Sequence, residues 1–232
     1  EETIQLAIQS RQSSISIQIW KEYTDQIEIS IINPSGVRVG PVPEILGPHR
    51  FRIGQTEILL YYGEPSPYSI SQEIYIDLLP VESYLTEGIW RIVLSAGKIV
   101  TGQYEMWLPS DNVLNRGTGF LFPTDATTLT IPSSSSRAIS VGAYDARTFA
   151  YADFSGRGFT RLTNMVKPDL VAPGVEVMTT TVGGGYAAFT GTSLATPFVT
   201  GSAALLMEWG IVRGNDPYLY GEKVKAYLRR GA

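Results

Sequence analysis

The stretch Gly183-Gly184-Gly185-Tyr186-Ala187-Ala188-Phe189-Thr190-Gly191-Thr192-Ser193 leads from glycine turns into an apolar helical pattern that starts at a serine. Helix N-termini carry unpaired N–H groups and about half a unit of positive dipole charge. A serine there can present its Oγ to a carbonyl while its own N–H helps hold the oxyanion that forms. The same position suits a plain helix cap, the commoner role of a serine at a helix start. Position alone leaves both readings open. Pro197 is compatible with a first helical turn. The following run, Phe198-Val199-Thr200-Gly201-Ser202-Ala203-Ala204-Leu205-Leu206, is apolar with small residues interspersed and predicts a buried helix. Gly201 costs about 1 kcal/mol relative to alanine in a helix, which implies that another backbone approaches there.

The elements that would position this helix differ along the chain. Up to residue 108 the sequence reads as strands: Ile4, Leu6 and Ile8 alternate with polar residues, as do Ile15, Ile17 and Ile19, then Ile27, Ile29 and Ile31, and later Ile74, Ile76 and Leu78. A period of two puts these side chains on one sheet face. Asn33-Pro34-Ser35-Gly36, Glu64-Pro65-Ser66-Pro67 and Glu87-Gly88 supply the turn chemistry between runs. The pattern predicts seven or eight short strands, no helix, and a β-sandwich or jelly roll over residues 1–116. Residues 117–232 read as α/β. They hold strand-like pieces at Ala138–Ala143 and Leu170–Ala172, a long helix from Ser193 to Trp209, and a second from Glu222 to Arg230 with Gly231 at its stop. The fold class is therefore mixed.

Composition narrows the functions. The 232 residues suit one large domain or two smaller ones. With no cysteine, the chain has no disulfide framework, thiolate site or cysteine nucleophile. A net charge of -4, with Lys and Arg scattered apart from Arg229-Arg230, gives no reason to bind nucleic acid or anionic lipid. No apolar run approaches the roughly 20 residues needed to span a bilayer, and the first residues are acidic where a signal peptide would be basic. Asp145, Asp153 and Asp216 are isolated turn residues, so no metal and no cofactor are expected.

The residues around Ser193 carry a resemblance. Gly191-Thr192-Ser193-Leu194-Ala195-Thr196-Pro197-Phe198-Val199-Thr200-Gly201 is similar, nearly position for position, to the nucleophile block of the subtilisin family of serine proteases. Pro168-Asp169-Leu170-Val171-Ala172-Pro173-Gly174 resembles the block before it, at a fitting spacing. Ile139–Ala143 and Phe154-Ser155-Gly156-Arg157-Gly158 resemble the strand and Ser-Gly loop further upstream. Phe198 departs from the pattern, since many relatives carry His there. The resemblance spans residues 119–232 and implies the C-terminal part of a subtilisin-like α/β domain acting on a protein or peptide. It makes Ser193 the nucleophile, with Thr192 and Gly191 at the oxyanion and substrate-binding region.

That family also needs a His base, an orienting Asp and an oxyanion Asn. The one histidine, His49 in Gly47-Pro48-His49-Arg50, lies outside any His-Gly-Thr block and reads as a surface loop residue. No Asp-Thr-Gly, Asp-Ser-Gly or Gly-Asn block is found. The resemblance thus implies an upstream segment that supplies these groups and makes residues 1–116 an insertion. This arrangement resembles the jelly-roll-containing germination proteases of clostridia, which would make the protein spore-associated or secreted. Two other readings are a pseudoprotease and a sandwich that binds a partner protein or a cell-wall glycan through Tyr61, Tyr62, Tyr68 and Tyr84.

Overall fold

The structure is a computed structural model that describes residues 1–110, 113–161 and 163–232. It divides into two compact units, Glu1–Pro123 and Thr124–Ala232.

In the first unit the isoleucine alternations become strands: β1 (Glu2–Ile8), β2 (Ile15–Glu22) and β3 (Ile27–Ile32). They are followed by β4 (Arg38–Val42), β5 (Gly47–Ile53), β6 (Thr56–Tyr62), β7 (Ser71–Pro80), β8 (Gly88–Ala96), β9 (Tyr104–Trp107) and the short β10 (Gly119–Phe120). Two five-stranded sheets result, ordered β10-β1-β8-β3-β4 and β5-β6-β7-β2-β9. Their inner faces share one core, in which Leu6, Ile17, Ile29, Ile58, Leu60 and Ile76 are wholly buried. Each such side chain stabilises the fold by about 1.5–3 kcal/mol relative to exposure.

Nine strands are formed by Trp107, more than the alternation announces. The least legible are the sheet edges: β4 contains Gly40-Pro41 and a register shift opposite Ile29 and Ile31, and β5 carries Pro48, Arg50 and Arg52. Proline and charge on an edge strand erase the period-two signal and discourage pairing with another chain. The Asn33 turn closes as its residues require: Gly36 has φ 85° and donates to the Asn33 carbonyl at 2.9 Å, while Asn33 Oδ1 accepts from Val37 N–H at 2.8 Å. Composition places the change of character at residue 116. The structure extends the first unit to Pro123, because Leu6 and Ala7 of β1 pair with Phe120 and Gly119.

A buried lysine lies within this unit. Lys21 Nζ donates to the Asp25 carbonyl (2.5 Å) and Gln72 Oε1 (2.6 Å), and pairs with Glu44 Oε1 (3.2 Å). The Asp25 carboxylate accepts N–H bonds from Val100, Thr101 and Gly102 at 2.6, 2.9 and 2.7 Å. Burial alone would raise its pKa. The three N–H donors and Lys21 outweigh that and hold it below the ordinary carboxylate value.

The second unit contains β11 (Val141–Asp145), β12 (Ala150–Tyr151), β13 (Gly158–Phe159), β14 (Val166–Lys167), β15 (Leu170–Pro173), β16 (Val177–Thr180) and β17 (Tyr186–Phe189). Helix α1 (Thr192–Met207) runs on into a π-helical turn over Glu208–Val212, and α2 (Gly221–Gly231) follows. β11 and β15 are parallel, and α1 packs on both. β11 starts at Val141 and not at Ala138, because Ser140 N–H is taken by Asp169 Oδ2 at 2.9 Å.

Three expectations about α1 fail. The helix was expected to be buried, yet Ala195 alone of its residues is, and Phe198 and Leu205 are 47% and 68% exposed. Nothing lies within 4 Å of the Cβ position at Gly201, so no backbone approaches there. Thr192–Val212 is also a continuous 21-residue helical stretch of mean hydropathy 1.2, long and apolar enough by composition to cross a membrane. Its interspersed Thr, Ser and Gly residues conceal that length in the sequence.

Candidate active site

The first helical residue is Thr192, and Gly191 takes the N-cap position, which places Ser193 second in the helix. The Ser193 N–H is then one of the orphan donors of the first turn. Pro197 falls in the second turn rather than the first, so it cannot donate to the Ser193 carbonyl four residues back. Ser193 is exposed, and no described residue forms a side-chain hydrogen bond with its hydroxyl. With no acidic residue in the first turn, the helix dipole is left free to act on an anion placed there.

The loop before Ser193 is fixed through Gly174, at the end of β15. Gly174 N–H donates to the Tyr144 carbonyl at 3.0 Å, and Gly191 N–H donates to the Gly174 carbonyl at 2.8 Å. A Cβ on Gly174 would lie 2.5 Å from Ala143 Cβ and 3.0 Å from the Gly191 carbonyl oxygen. Only a glycine allows β11, β15 and the Gly191 loop to meet this closely. Thr190 adds a second tie, its Oγ1 accepting from Glu176 N–H at 3.0 Å.

The Ser-Gly loop has a positioning role of the same kind. Ser155 is buried; its Oγ accepts from Ala143 N–H at 2.9 Å and donates to Tyr151 Oη at 3.0 Å, and Tyr151 in turn donates to the Gly156 carbonyl. A Cβ at Gly142 would meet Pro168 at 2.8 Å, with Ser155 Oγ and Tyr151 Oη at 3.0 Å. The blocks around Ser155, Pro168 and Ser193 therefore converge on the β11–β15 pair.

One buried ionic group escaped the sequence reading. Asp169 is paired with Lys167 at 2.6 Å and Lys225 of α2 at 2.9 Å, and both lysines also donate to the Ala138 carbonyl. Burial pushes the Asp169 pKa up, but the bonds from Lys167, Ser140 N–H and Lys225 hold it below the ordinary value. Desolvation lowers the pKa of Lys167. The Pro168-Asp169 pair signalled the loop, but nothing in the sequence paired Asp169 with a helix 56 residues later, at Lys225.

The remaining candidates fall elsewhere. His49 lies in strand β5 and not in a loop, with its Nε2 2.7 Å from the Ile45 carbonyl oxygen and its ring edge-on to Tyr62. Tyr62 is wholly buried and donates to the Ile27 and Val42 carbonyls, so it cannot join an exposed platform; Tyr61, Tyr68 and Tyr84 are exposed. Among the described residues no group of His, Asp and Glu is arranged to hold a metal ion.

Residues 90–232 match the subtilase family, peptidase S8, and the chain belongs to that family. It is 33% identical over 127 residues to the serine protease AprX of Bacillus subtilis, covering 46% of this chain and 27% of that protein. To the intracellular serine protease of Paenibacillus polymyxa it is 36% identical over 104 residues, covering 43% of this chain and 29% of that protein. The structure of the Clostridium perfringens CspB protease is similar over all of this chain and 48% of its own length, at 37% identity and a TM-score of 0.91. The chain thus spans less than a third of these two curated relatives and about half of that structure.

Proposed function

We propose that this chain is the serine-bearing part of a subtilisin-like endopeptidase, in which Ser193 attacks the scissile carbonyl of a protein or peptide. The observation that carries the reading is the exposed Ser193 hydroxyl at the start of α1, without a hydrogen-bond partner among the described residues, behind a loop fixed by the Gly191–Gly174–Tyr144 hydrogen bonds. The Ser193 N–H, with Thr192 and Gly191 beside it, faces the developing oxyanion. The His base, the orienting Asp and the oxyanion Asn come from an upstream segment, and the first unit, residues 1–123, is an insertion between that segment and the serine blocks. His49 is not assigned as the base, since its Nε2 is engaged with the Ile45 carbonyl and it lies in no His-Gly-Thr block.

The uncovered helix supports the upstream segment. A groove of about 640 Å³ is lined by Leu170–Pro173 of β15, by Phe198, Leu205 and Trp209, and by Tyr227 and Leu228 of α2. Apolar surface of this extent on a family core helix is what a further layer of the same domain would cover. The sandwich supports the jelly-roll reading through the neighbours β1-β8-β3 in one sheet and β2-β7 in the other. Its likeness to the Clostridium perfringens CspB protease supports the clostridial part of that reading.

The test is peptidase activity of the full-length protein with and without Ser193→Ala. Loss of the nucleophile should lower turnover by about 2 × 10⁶, the size measured when a subtilisin triad is dissected. Equal activity in the two proteins would remove the assignment.

A further inference from the structure

Aromatic residues in the sandwich differ in how their polar tips are partnered. Inside, Trp90 Nε1 donates to the Thr86 carbonyl at 2.9 Å and Tyr62 Oη is bonded twice. The outer face of the β5-β6-β7-β2-β9 sheet carries a different set. Trp107 stands opposite Gln18, Gln18 opposite Tyr75, Tyr75 opposite Tyr61, and Tyr61 opposite Pro48. Ile17 and Ile19 point into the core, so Gln18 and everything in register with it face outward. One row therefore crosses all five strands. Trp20 occupies the adjoining row, between Glu105 and Glu73. Among the described residues, Tyr61, Tyr75, Trp107 and Trp20 make no ring contact and no hydrogen bond through their polar tips.

We propose that this row binds a linear, β-linked glycan that carries no acidic groups. Strands lie about 4.8 Å apart, so the row extends for roughly 19 Å, and its pitch is close to the rise of about 5 Å per sugar in an extended β-linked chain. Aromatic faces suit the C–H faces of pyranose rings, and their free N–H and O–H tips suit the hydroxyl edges. Hydrogen-bonding groups flank the rings: Gln18, bonded to Glu73 at 3.1 Å, and Asp77 opposite Ser16 and Leu59. On this face Arg50 is paired to Glu57 at 3.1 Å and Arg52 donates to the Gly54 carbonyl at 3.0 Å. Against that one remaining cation among the described residues, Glu73 and Asp77 leave the face net acidic, which opposes polyanions such as nucleic acid or uronate chains. An extended peptide would pair with the amides of a sheet edge, whereas this row uses side chains across the strands.

The proposal is tested by titrating the full-length Ser193→Ala protein with N-acetylglucosamine hexamer, cellohexaose, a β-1,4-linked glucuronate hexamer and hexalysine, read by calorimetry and tryptophan fluorescence. At least one neutral hexasaccharide should bind saturably, with a change in tryptophan emission, and the β-1,4-linked glucuronate hexamer should not. Trp107→Ala and Tyr75→Ala should each weaken binding at least tenfold, while Tyr68→Ala leaves it unchanged. Tyr61→Ala, at the most exposed ring of the row, should weaken binding at least threefold and covers the case in which the first two variants unfold. The proposal is overturned if neither neutral hexasaccharide binds at millimolar concentration, if binding ignores the row variants, or if hexalysine displaces the sugar.

Discussion

Among the described residues of the sandwich, 20 apolar side chains, 19 from the two sheets and Leu85 from the loop between β7 and β8, are buried in one shared core. The second unit has a core cluster of four alanines, Ala143, Ala152, Ala172 and Ala195, while Phe198, Leu205, Trp209 and Val171 remain open. The alanines and the glycines at 142 and 174 let α1 and the parallel strands approach closely, which suits positioning more than independent stability. One region is closed on itself. The other fixes the loop before Ser193 and leaves helix α1 uncovered, and that asymmetry is the physical basis for the proposal that the base comes from elsewhere.

The sharpest break of this comparison is Asp169→Asn. It leaves Lys167 and Lys225 buried without their counter-charge and should cost about 3–5 kcal/mol in the second unit. Urea unfolding followed by amide hydrogen exchange, which reads the two units separately, should show this, with the sandwich amides unmoved. A similar or smaller loss, about 2–5 kcal/mol, is expected for Ile76→Ala in the sandwich. Leu205→Ala in this chain should stay within about 0.5 kcal/mol because its side chain is exposed. A larger loss at Leu205 than at Ile76 would show that α1 is packed as tightly as the sandwich core.

Gly174→Ala sharpens the positioning claim. Displacing the Gly191 loop should lower kcat of the full-length enzyme by about 100-fold, with little change in KM. Acid should act on both units. The pKa values of Asp25 and Asp169 are depressed by folding, so their contribution is present above the unfolded value of about 3.9 and is lost as pH falls through the lower folded values. Far-UV circular dichroism should show acid unfolding below about pH 4, and Asp25→Asn should flatten that limb for the sandwich.

The sequence disclosed what repeats or is locally punctuated: the isoleucine alternations, the Asn33 turn, the extent of α2 and the blocks around Ser193. It concealed what depends on distant partners. Strands β4 and β5 hide behind proline and arginine, and Tyr62 looks like its exposed neighbour Tyr61 until register places it inside. The Lys225–Asp169 pair joins residues far apart in the chain. The exposure of α1 was missed because an apolar helix reads as buried whatever covers it.

Fluorophosphonate labelling of Ser193, in this chain and in the full-length protein, shows whether the serine reacts without a base supplied from upstream. We predict rapid labelling of the full-length protein, abolished by Ser193→Ala, and no detectable labelling of residues 1–232 alone. Labelling of the isolated chain at a rate comparable to the full-length enzyme would contradict the account.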